Sequence, residues 1–135
     1  MLRIFLSSHG RFASGLKSSL DILLGSSDNV TVFDAYVDDT SVQEQLEAFY
    51  GSVSEGDQIL LLSDLYGGSV NQVMFTFLER PNTRLVAGVN LAFLLEAASR
   101  TEMSDEELDE LIGQSRDMLR RVQLETSPNT EEDFF

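Results

Sequence analysis

Cysteine is absent from the 135 residues. Disulfides and thiolate metal sites are therefore excluded. Histidine occurs once, at His9, so no multi-histidine zinc site can form within one chain. Positive charge is scarce: 9 Lys and Arg stand against 23 Asp and Glu, a formal net charge of −14. Nucleic-acid binding needs a basic footprint, and this balance argues against it. The same balance disfavours an anionic membrane surface. It suits a basic protein partner, because opposite charge speeds encounter. No apolar run reaches the about 18 residues that would span a bilayer. The N-terminal apolar stretch already contains Arg3, and no small-residue cleavage site follows a long apolar region. No signal peptide is expected, and the chain reads as cytoplasmic.

What is present suffices for one core. A hydrophobic content of 42% over this length fits one compact domain and is too little for two. The apolar pattern predicts strands over 2–6, 29–37, 57–63 and 84–89. Between them, helices are predicted over 11–24, from Ser41 through Val53, over 69–78 and over 91–99. Gly25 stops the first as a C-terminal cap. Ser41 with Glu44, and Ser104 with Glu107, have the spacing of capping boxes. The second box opens a long last helix, with Leu108, Leu111, Ile112, Leu119 and Val122 in register. Residues 126–135 read as a loose acidic tail.

Strands that alternate with helices predict an α/β fold: an open, mostly parallel sheet with helices on both faces. Right-handed crossovers place the strand-end turns on one rim. In the order 2-1-3-4, His9 after strand one and Asp64 after strand three face each other across the crevice where ligands bind in such sheets. Asn90, after strand four, joins the same rim.

A neutral imidazole attacks phosphorus with one nitrogen while the other donates to a carboxylate. His9 is thus the candidate phosphate-accepting nucleophile, and Asp64 the group that sets its tautomer. A phosphoryl group needs N–H and O–H donors. The helix starts after Gly10 and after Gly67-Gly68 are candidates for the former, with Ser8 and Ser69 for the latter. Each feature alone has a duller reading, as a hydrogen-bonded histidine, a capping acid or a simple turn. The conjunction carries the argument.

Ser8-His9-Gly10, the run Asp64-Leu65-Tyr66-Gly67-Gly68-Ser69 and the run Ala87-Gly88-Val89-Asn90-Leu91 together resemble the mannose-family enzyme IIA domain of the sugar phosphotransferase system. The resemblance covers most of the chain, with 1–125 as the domain. It implies that the phosphocarrier HPr phosphorylates His9. The phosphoryl group then passes to an enzyme IIB, expected as a separate protein, and on to sugar entering through a permease, so that contact with the membrane is indirect. No cofactor is expected. The resemblance also implies a homodimer with a C-terminal antiparallel edge strand exchanged between subunits, somewhere in 118–125, where the residue pattern itself reads as helix. Val70 stands where the family often has proline, and Arg11 where it often has an apolar or aromatic residue.

Other readings stay open. The phosphotransfer subunit of a dihydroxyacetone kinase resembles this pattern and also uses a histidine here. A receiver-type domain phosphorylated on Asp64 would need an acidic pair where Ser7-Ser8-His9 stands, and a late lysine, whereas the one lysine is Lys17. A non-catalytic regulatory module is the third.

Overall fold

The computed structural model describes residues 1–124. Nine elements follow one another: β1 (Leu2–His9), α1 (Phe12–Leu24), β2 (Val30–Ala35), α2 (Val42–Gly51), β3 (Gln58–Ser63), α3 (Ser69–Phe75), β4 (Thr83–Ala87), α4 (Leu91–Ala98) and α5 (Asp105–Arg116). The strands form one parallel sheet in the order β2-β1-β3-β4. This is the order expected from the sequence.

Alternation along the central strands feeds two cores. Leu2, Ile4 and Leu6 of β1, with Leu60 and Leu62 of β3, pack against α1, α4 and α5 through Leu20, Phe93, Leu94, Leu108 and Leu111. The intervening Phe5, Ile59 and Leu61 pack against α2 and α3 through Leu46, Phe49, Val70 and Met74. Both faces of the sheet are thereby covered, which is why Ile4-Phe5-Leu6 of β1 and Ile59-Leu60-Leu61-Leu62 of β3 are apolar at successive positions. Val70 is fully buried in the second core, which explains an apolar residue at that position.

Several boundaries differ from the sequence pattern. β1 continues past Leu6 to His9, because main-chain pairing of Ser7 with Ser63 and of His9 with Ala35 extends the ladder without apolar side chains. β2 stops at Ala35, because Tyr36 turns the chain with φ 65°. α3 gives way after Phe75 to tight turns, with Thr76, Phe77 and Leu78 N–H donating three residues back. β4 ends at Ala87, where Gly88 adopts φ 75°.

The long last helix is corrected. α5 ends at Arg116, and 118–124 form neither helix nor strand. Two causes are visible. The Asn90 side-chain amide donates to Ser115 O at 2.8 Å, taking up a carbonyl at the helix end. Beyond it no surface of the described chain covers Leu119 or Val122, which are 89% and 66% exposed. A helical period without a face to bury against does not sustain a helix. Glu125 and the predicted tail, 126–135, lie outside the described residues.

Asn90 therefore serves the fold. Its Oδ1 accepts from Phe93 N–H at 2.8 Å, capping α4, while its amide holds the end of α5. Asn90→Ala removes both bonds. A loss of about 1–3 kcal/mol is expected, read as a lower urea midpoint at unchanged slope.

Candidate functional site

β1 and β3 end side by side, and this places His9 against Asp64. Asp64 Oδ2 accepts twice from His9, from its main-chain N–H and from Nδ1, each at 2.9 Å. An ionised carboxylate only accepts, so Nδ1 carries a ring proton, and in the neutral imidazole Nε2 bears the lone pair. The side chain of Asp64 is 16% exposed and that of His9 is 43% exposed. The ring is thus anchored from within the protein while its reactive nitrogen stays at the surface. Asp64 Oδ1 is buried and meets no donor among the described residues.

Ser69, the first residue of α3, lies at the other nitrogen. Its Oγ is 3.2 Å from Nε2. The turn before it is built by glycine. Gly67 has φ 76°, a conformation that side-chain-bearing residues adopt at a cost. Gly68 runs along the edge of the imidazole: a Cβ there would stand 3.4 Å from His9 Cε1 and 3.4 Å from Leu65 O. α3 starts with no side-chain cap, leaving its first N–H groups beside the ring.

The structure brings His9, Asp64, Gly67, Gly68 and Ser69 together. It does not bring Ser8, Gly10 or Asn90 to the imidazole. Ser8 is fully buried. Its hydroxyl accepts from Ala13 N–H at 2.7 Å and donates to Gly10 O at 3.0 Å, so it caps α1. Gly10 forms the turn at φ 61° and gives its own N–H to Ala35 O. Asp34 accepts from Ser14 N–H and hydroxyl, which sets a carboxylate on the first turn of α1. Of the two helix starts expected to face an anion, that of α1 is closed off by Ser8 and Asp34. Only that of α3 opens beside His9. Arg11 sits at the N-cap of α1 with its side chain exposed.

Sequence reasoning passed over Tyr36. Its ring stacks on the His9 imidazole, centroids 5.2 Å apart and planes 28° apart. Its hydroxyl is hydrogen-bonded to Ser69 Oγ. The available signal was positional: an aromatic just past the end of the strand that neighbours β1.

The sequence profile of a family described as PTS system fructose IIA component matches residues 3–115. The PTS system fructose-specific EIIA component of Bacillus subtilis strain 168 is 29% identical over 105 residues, spanning 76% of this chain and 72% of that protein. The PTS system mannose-specific EIIAB component of Escherichia coli K12 is 27% identical over 115 residues. That match spans 82% of this chain and only 35% of the E. coli protein. Among solved structures, the mannose/sorbose specific IIA subunit of the phosphotransferase system from Enterococcus faecalis superposes with a TM-score of 0.79 at 29% identity. It covers 93% of this chain and 97% of that one.

Proposed function

We propose that this chain, which belongs to the family of the PTS system fructose IIA component, accepts a phosphoryl group from phosphorylated HPr on His9 Nε2 and passes it to an enzyme IIB. The observation that carries the reading is the asymmetry of the imidazole. Nδ1 is bound to a carboxylate, and Nε2, with only the Ser69 hydroxyl beside it among the described residues, is the nitrogen left to attack. Asp64 stabilises the positive charge that develops on the ring as Nε2 bonds to phosphorus. Ser69 and the uncapped start of α3 supply donors for the phosphoryl oxygens. The names of the relatives support a place in a sugar phosphotransferase system. Sugar uptake then follows through the permease that the IIB serves, and the protein itself meets the membrane only through that complex. Among the described residues no helix is long and apolar enough to cross a membrane.

A homodimer fits the same reading. Met118, Leu119, Val122 and Leu124 are exposed, and among the described residues β4 pairs only with β3. An apolar segment beside an open sheet edge suits exchange of an edge strand between two copies.

The test is to incubate the protein with phosphorylated HPr and analyse the label. One phosphate per chain, labile in acid and stable in base, is expected. A protein that takes up none under conditions where a known IIA is labelled is not a phosphocarrier.

A further inference from the structure

Tyr36 is 63% exposed, yet its backbone sits at φ 65°. That left-handed conformation is one a side-chain-bearing residue adopts only at a cost. The ring adds nothing to either core, so packing does not account for it. What it touches is the site: the face of His9 and the hydroxyl of Ser69.

With the imidazole neutral, as attack on phosphorus requires, the proton directions along these contacts follow. Nδ1 holds the ring proton, so Nε2 can only accept. Ser69 O–H therefore donates to Nε2, and its oxygen is left to accept from Tyr36 O–H. The chain runs from Tyr36 O–H to Ser69 Oγ, and from Ser69 O–H to His9 Nε2.

We propose that Tyr36 is a positioning residue for phosphoryl transfer at His9. Its ring holds the plane of the imidazole, and its hydroxyl holds Ser69 Oγ as a donor beside Nε2. The assignment rests on the phosphocarrier reading above. As Nε2 attacks, its lone pair becomes the new N–P bond. The donor's P–N bond breaks and its electrons return to the donor's ring. Ser69 O–H loses its acceptor at that moment and rotates about Cβ–Oγ to a phosphoryl oxygen. The bond from Tyr36 keeps the oxygen in place while the proton turns. The Asp64 contact fixes one ring nitrogen, and stacking limits rotation of the ring about it. Tyr36 thus acts through His9 and Ser69 and need not touch phosphorus.

Two variants separate the ring from the hydroxyl. Tyr36→Phe keeps the stack and removes the bond to Ser69. Tyr36→Leu removes both. Initial rates of labelling by phosphorylated HPr, over a range of its concentration, give kcat and KM. We expect kcat to fall about fivefold in Tyr36→Phe, the scale of one neutral hydrogen bond, and about 20-fold in Tyr36→Leu. KM should stay within about twofold, since uniform binding is not what is lost. Nitrogen NMR of the imidazole supplies a readout independent of transfer, and His9 is the sole histidine, so the ring signals need no assignment. Sharp signals in the unaltered protein and Tyr36→Phe, broadened in Tyr36→Leu, support the clamp. Unchanged kcat in Tyr36→Leu overturns the proposal. So does a raised KM at unchanged kcat, which would make Tyr36 a docking contact. Absence of label on the unaltered protein overturns the phosphocarrier reading and this assignment with it, whereas label on that protein with Tyr36→Leu equally fast overturns this assignment alone.

Discussion

His9→Gln abolishes acid-labile labelling by phosphorylated HPr: this is the largest effect expected of any single change. The chain has no second histidine and no cysteine, so no other side chain can supply an imidazole or thiolate acceptor. Glutamine keeps the main-chain N–H that Asp64 accepts from, and it approximates the length of the lost side chain. The His9 side chain is 43% exposed, so the substitution leaves the cores intact. The thermal midpoint should move by no more than about 3 °C. A folded protein with label at background is the expected result. Label that persists and is destroyed by base would move the phosphate to a carboxylate, with Asp64 the first to check. That outcome would favour the receiver-type reading.

Asp64→Asn gives the second largest effect, in rate and not in site. Asparagine can still accept from the His9 main-chain N–H. Its neutral amide no longer opposes the charge that builds on the imidazole. Turned the other way, it donates to Nδ1 and shifts the ring proton to Nε2, which blocks the attacking lone pair. Loss of a carboxylate that orients and charges a histidine costs about 100-fold or more in rate. Single-turnover labelling should show that decrease, with the phosphate still on His9. Asp64→Ala differs in a useful way. It strands the His9 N–H without its acceptor, which costs about 1–3 kcal/mol in stability. The pair of variants therefore separates charge from support. Asn at the unaltered rate would remove Asp64 from the chemistry and leave it a tether for the end of β1.

Much of this was legible before any coordinates. Ile59-Leu60-Leu61-Leu62 is apolar at every position, so it had to be a strand covered on both faces. Ser104 and Glu107 announced the start of α5, and both halves of the capping box form. The pairing of His9 with Asp64 followed from strand order alone. What was not legible depends on contacts between distant segments. Leu119 and Val122 continue the period of α5, and nothing in a single strand of text says that no surface of the described chain waits for them. Asn90 looks like a site residue at a strand end, and it is bound instead to the carbonyl of a residue 25 positions on. Ser8 precedes the key histidine, and its hydroxyl turns to Ala13. The α1 start was expected to bind an anion. It already has one, Asp34, from a strand that only the sheet brings close. Tyr36 was hidden for a related reason, since a left-handed tyrosine has no local signature.

The crowding around the imidazole sets the order of events. Asp64 occupies Nδ1, the Gly68 backbone lines one edge and the Tyr36 ring covers a face. The Nε2 lone pair, with Ser69 Oγ at 3.2 Å, is the one ring position left for attack. A giver and a receiver of phosphate cannot be served at once through that opening, so they must queue. On the phosphocarrier reading proposed above, exchange is therefore expected to be ping-pong, with each partner competing for the same doorway.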